Sequence, residues 1–443
     1  MSNELKKSLG PWRLWGLGVG YVISGMYFGW NLGLPEGGVY GMIIATIVVT
    51  IMYLAFVLSY SELACSIPRA GGAFVYSIRA FGDRLGFVGG IAQIIEYVFA
   101  PPAIALAMGA YFSSYFPEQD AMRAQVIVAI AAYVLFTGMN IWGVDLSANF
   151  ELVITILAVA ELLIFATATL PSFSLESFSK NPLPKGWGGI FAAIPFAIWF
   201  YLAIEGVANV AEESINPQRN ISRGFIMAML TLVGLALLIF VSSVGVAGWE
   251  AIVYDSDKTM SDKPLPLALG VLYGESHWLY RAVITVGLFG LIASFHGIIL
   301  IAGRATFEFG RYGFLPRAFG KTLDKRKTPA VALVANMVVG IIALLTGKTG
   351  EIITIAVFGA LSLYIMSMLS LLKLRKSEPG LERPYKTPFY PVLPLVALVI
   401  AIVCLVTLGI YQYYLALVYI SIVDVVYLLD MIGLKLRERR ARS

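Results

Sequence analysis

Apolar residues run through this chain in long, nearly unbroken blocks, separated by short polar connections. A helix crosses the hydrocarbon of a bilayer in about 17–25 residues. About twelve blocks meet that length: roughly 15–34, 41–65, 85–112, 124–142, 152–170, 190–211, 224–248, 279–301, 329–345, 352–372, 392–410 and 413–434. No polar stretch between them is long enough to fold separately. The pattern predicts an all-α integral membrane protein, one bundle over 1–443.

The first block contains an interruption at 22–33, VISGMYFGWNLG. Ser24-Gly25 and Gly29-Trp30-Asn31 are poor helix formers, and Pro35 follows closely. In hydrocarbon each unpaired backbone N–H or C=O costs several kcal/mol, so a broken helix survives only against protein or a wet cavity. Carbonyls freed at the end of one half-helix hold a cation, and N–H groups freed at the start of the next hold an anion. The stretch is therefore expected to form half of a substrate site near the bilayer midplane. A glycine-rich packing face is the other reading.

Composition narrows the class. Only 13% of the 443 residues are charged and 59% are hydrophobic, against about 25% charged in soluble domains. Cys65 and Cys404 both lie in or beside apolar blocks and suggest neither a disulfide framework nor a metal site, and no cofactor is implied. The net charge of +5 calls for no nucleic acid, because the charges follow the membrane. With the N-terminus inside, 25 of the 32 Lys and Arg fall on the inner side, among them Lys6, Lys7 and a tail of Lys435, Arg437, Arg439, Arg440 and Arg442. The positive-inside rule then places both termini in the cytoplasm of a multi-pass protein of the cell (inner) membrane. No cleavable signal peptide is visible. The outer connection before 279 is acidic, with Glu250, Asp255, Asp257, Asp262 and Glu275. It reads as a solvated loop, or as a mild attraction for cations.

Three stretches on the basic side go beyond hydropathy: 61–82, SELACSIPRAGGAFVYSIRAFG; 205–223, EGVANVAEESINPQRNISR; and 303–316, GRATFEFGRYGFLP. Together they resemble the amino acid–polyamine–organocation transporter superfamily. Within it, VISGMYFGWN is similar to the ethanolamine permease branch. The resemblance implies a LeuT-like 5+5 inverted repeat, with 1–170 and 190–375 as the repeats and two additional helices over 390–435. It also implies a sixth helix broken opposite the first. The sequence there is WFYLAIE, 199–205, followed by Gly206. Many members carry glycine where this chain has Ala203, so the break is expected to be milder, or carried by Gly206.

Acidic groups within a span are costly, by at least ~2.5 kcal/mol at the centre, and mark functional candidates. Three stand out: Glu96, Glu161 and Glu205. Helical spacing puts Gln93, Glu96, Tyr97 and Ala100 on one face, and Gly86, Gly89 and Gly90 admit a close neighbour. The resemblance makes this face a cavity wall on which Glu96 pairs with a substrate ammonium and Gln93 and Tyr97 add hydrogen bonds. The other reading is a structural carboxyl bonded to backbone of the first helix. Pro101-Pro102 frees carbonyls beyond it. In the resemblance Glu205 bridges helices or acts as a proton switch, and Trp199 is an aromatic lid. Its cation–π contact with an amine would be worth ~0.5–2 kcal/mol, unless the ring simply packs on lipid. Glu161 is either a proton carrier or a helix–helix hydrogen bond. Ser24 and Ser294 offer oxygens to sodium, but Gly287, Gly290, Ser294 and Gly297 read better as a packing ridge, and His296 as a core histidine. Glu62, Glu212 and Glu213, with Arg69, Arg219 and Arg223, read as gate or stability pairs.

An amino acid needs carbonyls for its ammonium and N–H groups for its carboxylate. Here Trp30 would crowd the N–H pole, and Asn31 is suited to a hydroxyl. The expected function is import of a small amine, ethanolamine in the first place, by secondary active transport and alternating access, driven by H+, by Na+ or by the substrate gradient alone. A neutral or cationic amino acid permease is the alternative. The expected site is Ser24, Gly25, Tyr27, Gly29, Trp30, Asn31, Gln93, Glu96, Tyr97, Trp199, Ala203 and Glu205, with Glu161 and Glu205 coupling or gating. No hydrolase, zinc or P-loop motif points to an enzyme. The connection 113–123 has no cysteine for a disulfide-linked heavy subunit.

Overall fold

The computed structural model describes residues 9–69, 71–116, 118–143 and 148–442, with side chains described except at 118–121, 148 and 432–442. Lys6, Lys7 and the basic side chains of the tail, on which part of the expected orientation rests, lie outside the described residues. So does part of the connection 113–123.

The described residues are predominantly helical: α1 (Pro11–Val22), α2 (Ser24–Tyr27), a 3-10 turn (Trp30–Gly33), α3 (Leu34–Ser66), α4 (Ala73–Phe81), α5 (Asp83–Ser113), α6 (Glu118–Trp142), α7 (Ala148–Thr169), α8 (Leu175–Phe178), α9 (Gly188–Trp199), a 3-10 segment (Ile204–Glu213), α10 (Pro217–Ala247), α11 (Glu250–Val253), α12 (Pro264–Tyr273), α13 (Trp278–Tyr312), α14 (Ala330–Leu344), α15 (Thr349–Ser377), α16 (Val392–Tyr411) and α17 (Tyr413–Arg442). Ten helical stretches among the described residues are long and apolar enough to cross a membrane. The broken first pass, α1–α2, and the short apolar α14 bring the passes to twelve. α14 is short because Pro329 precedes it and Gly347, with a φ of 66°, follows it. Sequence reading missed the short connecting helices α4, α8, α11 and α12.

The centre of the bundle is α5 packed along α15, with α13, α9 and α3 around them. The α5–α15 approach is close enough that a Cβ on Gly359 would lie 2.7 Å from the Ala92 carbonyl oxygen and from the Glu96 nitrogen. α16 and α17 lie at the rim and present Val399, Ile410, Leu417 and Leu428 outward, as expected of surfaces that meet lipid. Pro101 and Pro102 sit inside α5 and have no N–H, so the carbonyls of Tyr97 and Val98 lose their helical donors. Tyr97, Val98 and Pro101 line a small hollow with Tyr133, Thr137 and Asn336.

The basic end is tied together by one buried carboxylate. Glu62, at the end of α3, accepts from Arg375 Nε and Nη2 at 2.6 and 2.7 Å and from the Thr387 N–H at 2.8 Å. Arg383 Nε lies 3.2 Å away. Its partners are therefore on α15 and the connection that follows it. Glu213 pairs with Arg304 at 3.1 Å. Glu62 and Glu213 are in ion pairs, but with Arg375, Arg383 and Arg304 in place of Arg69, Arg219 and Arg223. Removing one partner of a buried pair strands the others and costs about 3–5 kcal/mol. Glu62→Gln is thus expected to lower the melting midpoint of the detergent-solubilised protein sharply; an unchanged midpoint would contradict the clamp.

Candidate functional site

The first pass breaks where its residues cannot continue a helix. α1 ends at Val22, α2 lasts four residues, Phe28 is extended, and Gly29 has φ 90°. That φ is open to glycine and strained for other residues. Three carbonyls along the break are capped by side chains. Gly20 O accepts from the Ser294 hydroxyl at 2.6 Å, Met26 O from the Trp30 indole at 3.2 Å, and Tyr27 O from the Tyr111 hydroxyl at 2.9 Å. The Ser24 N–H donates to Ser294 Oγ at 3.0 Å. Ser294 thus joins α13 to the backbone of the break. Gly287 and Gly290 receive the Tyr27 ring and Gly297 receives Tyr21, so the small-residue ridge is a packing surface, as the second of its two readings held.

The second break lies after α9. Residues 200–202 turn, and Ala203 takes a left-handed φ of 71° before the 3-10 segment begins. The expectation of a milder break, or one carried by Gly206, is corrected: Ala203 itself breaks the helix, while Gly206 has no left-handed φ and admits Ile301 and Tyr21. The Ala203 N–H, freed by the turn, donates to Glu96 Oε1 at 3.1 Å, which offsets the strain. The two breaks touch. A Cβ on Gly25 would lie 2.5 Å from the Trp199 carbonyl oxygen, and one on Gly29 would lie 2.4 Å from Trp199 Nε1 and Cδ1. Phe28 meets the Trp199 ring edge-on at 5.3 Å.

The acids gather at these breaks. Glu96 and Glu205 are buried on either side of one tyrosine hydroxyl. The Tyr364 hydroxyl lies 3.5 Å from Glu96 Oε1 and 3.3 Å from Glu205 Oε2. Tyr97 reaches Glu205 and takes a bond from Asn209 Nδ2 at 3.4 Å. Gln93 faces away from the breaks: its Oε1 accepts the Phe74 N–H at 3.1 Å and its Nε2 meets Asn209 Oδ1 at 3.4 Å. Glu96 does bond backbone, but of the sixth pass rather than the first. Glu161, on α7, takes a hydrogen bond from the Tyr27 hydroxyl, which also reaches the Ala158 carbonyl at 3.2 Å. Sequence reading passed over Glu151. It lies almost fully buried against Gly20, on the same α7 face as Thr155, and its Oε1 has no partner. Its signal was a carboxylate three residues inside a helix start, which usually reads as a solvated end.

Trp30 and Asn31 are engaged by other parts of the protein. Trp30 stacks on Phe200 at 5.9 Å. Asn31 Oδ1 accepts the Gly29 N–H at 3.0 Å, and Nδ2 donates to the Ser261 carbonyl at 2.8 Å. That second bond docks the acidic connection onto the break. Asp262, next in line, is buried and accepts from the Thr349 hydroxyl at 2.7 Å, and Asp255 pairs with Lys263 at 3.4 Å. The acidic connection is solvated at Glu250, Asp257 and Glu275, as read, but turns inward at Asp262. Burial pushes the Asp262 carboxyl up to about 7, opposed by the Thr349 bond and helped by Asp255.

Two outcomes follow. Left-handed alanine costs about 1–2 kcal/mol, so Ala203→Gly is expected to gain a net ~0.5–1 kcal/mol after the extra freedom of glycine in the unfolded chain. A lower melting midpoint for that variant would contradict strain at 203. A raised carboxyl favours the docked loop below about pH 4 and loses that contribution as pH rises through about 7. The Asp262→Asn variant should therefore gain on the wild type in melting midpoint between pH 5 and 8, and a pH-independent difference would refute burial of that charge.

A family profile described as amino acid permease matches residues 9–432. The chain is 28% identical to an uncharacterized transporter of Rhizobium meliloti, over 88% of this chain and 84% of the relative. It is 24% identical to a branched-chain amino acid permease of Bacillus subtilis, over 88% and 85%, and 25% identical to a methylthioribose transporter of the same organism, over 88% and 86%.

Proposed function

This chain belongs to the amino acid permease family, and on that premise we propose that it carries a small amine across the membrane by alternating access, with an amino alcohol such as ethanolamine as the solute. Residues 1–170 and 190–375 are the two inverted repeats, 390–435 adds two helices, and both termini face the cytoplasm of the inner membrane. The solute sits between the two breaks, against Ser24, Gly25, Tyr27, Gly29 and Ala203. Its ammonium faces the carboxyls of Glu96 and Glu205, Trp199 closes over it, and Tyr97 holds Glu205 in place.

The observation that carries the choice of solute is the state of the N–H pole. Asn31 already fills the Gly29 N–H and is itself held by Ser261. A carboxylate would have to displace both bonds, whereas an amine without a carboxylate leaves them intact. Similarity to a methylthioribose transporter shows that relatives of this chain are not confined to amino acids. The second reading, a neutral or cationic amino acid, is favoured by the similarity to a branched-chain amino acid permease.

Competition in proteoliposomes separates the two. Unlabelled ethanolamine is expected to suppress uptake of labelled ethanolamine at concentrations where alanine and arginine do not; suppression by the amino acids alone would refute the amino-alcohol reading. The coupling proton is assigned to Glu161, whose bond to Tyr27 links α7 to the first break. In Glu161→Gln, proton uptake accompanying the solute should disappear while solute exchange persists. Coupling that survives there and fails in Glu205→Gln would move the proton to the Glu96–Glu205 pair.

A further inference from the structure

Eight tryptophans occur in the chain, and their indole N–H groups divide sharply. Trp12, Trp142, Trp187 and Trp278 are exposed, so lipid headgroups or water can satisfy them. Of the remaining four, Trp15 donates to Thr231 Oγ1 at 3.0 Å, Trp30 to the Met26 carbonyl at 3.2 Å, and Trp249 to the Asn181 carbonyl at 3.1 Å. Trp199 is only 3% exposed, and its Nε1 has no partner. A buried indole N–H usually finds an acceptor, and leaving one unmade carries the full desolvation cost of the group.

The orphan is not in an arbitrary place. Its Nε1 edge lies over Gly29, at the point where the first pass is interrupted, and its own carbonyl faces Gly25. Several neighbouring polar groups of the first break are already bonded: the Gly20, Met26 and Tyr27 carbonyls to Ser294, Trp30 and Tyr111, and the Gly29 N–H to Asn31. The Trp199 N–H is a donor left over between the two breaks, and a donor selects for an oxygen, not for an ammonium.

We infer that Trp199 determines specificity by donating its indole N–H to an uncharged oxygen of the solute, so that the transporter distinguishes an amino alcohol from the same amine without its hydroxyl. This inference rests on the transport reading above and deepens it. It gives Trp199 a directional role that a cation–π lid does not have. A lid attracts any ammonium, whereas an unpaired buried donor rejects a solute that cannot accept from it.

The test compares solutes that differ by one hydroxyl. In wild-type protein ethanolamine should bind about tenfold more tightly than ethylamine, the ratio that one net hydrogen bond supports, read by competition or thermal shift. In Trp199→Phe, which keeps an aromatic ring and removes the N–H, that ratio should fall to about one, chiefly through weaker ethanolamine binding. A ratio that survives in Trp199→Phe, or a wild type that binds both amines equally, would overturn the inference. Should the phenylalanine variant fold poorly, the indole 15N–1H resonance of Trp199 in wild-type protein decides: it should shift on adding ethanolamine and stay in place with ethylamine, and the reverse or no shift would overturn it. If neither amine binds, the amino-alcohol reading fails; the donor role is then read from serine against alanine. Loss of serine preference in Trp199→Phe would sustain it, and an unchanged preference would overturn it.

Discussion

A backbone interrupted inside hydrocarbon must find a partner for each group it frees, because no water is there to supply one. That constraint organises the centre of this protein. The first pass stops at Val22 and the sixth at Trp199, and each interruption is met by side chains from other helices. Ser294 comes from α13, Tyr111 and Glu96 from α5, Trp30 and Asn31 from the break itself. The caps from Ser294, Tyr111 and Glu96 are hydrogen bonds between elements that are far apart in sequence. The breaks therefore knit the bundle together at the level where a continuous helix would merely pass through it.

The same economy sets the state of the molecule. At the basic end, Glu62 holds α3 to α15 and the connection beyond it, and the segment at Leu9 pairs with Ser214 at the end of the sixth pass. At the acidic end, Ser261 is bonded to Asn31 and Asp262 to Thr349. Trp199 lies over Gly29 between them. Both ends of the bundle are thus tied by specific bonds, and the two breaks are in contact between them. Moving to an open state means exchanging specific bonds, few in number, for bonds to solute and water. Alternation between two such arrangements is what a carrier of the family requires.

Much of this architecture was legible in the sequence because membrane helices declare themselves by length and apolarity. The twelve passes and the interruption at 22–33 followed from block length and from poor helix formers in the wrong place. The sixth-pass break was harder. Ala203 has no sequence-level reason to be left-handed; its conformation is held by Glu96, more than a hundred residues away. Asn31 was read as a ligand for a hydroxyl because its type suits one, yet its partners are Gly29 and the Ser261 carbonyl. Within the solvated acidic loop, charge alone could not reveal that Asp262 turns inward. Glu151 escaped notice because a carboxylate near a helix start is ordinary until the neighbouring glycine, Gly20, brings α1 against it. In each case the missing information was a tertiary partner.

The central claim is that the two breaks, meeting at Gly25, Gly29, Trp199 and Ala203, enclose the solute. An experimental structure of the protein in nanodiscs with ethanolamine tests it most directly. The account predicts solute density between the first and sixth passes, within hydrogen-bonding distance of the Glu96–Glu205 carboxyls, with the Trp199 ring moved off Gly29. Solute bound elsewhere while Trp199 stays in contact with Gly29, or first and sixth passes that run as unbroken α-helices, would contradict it.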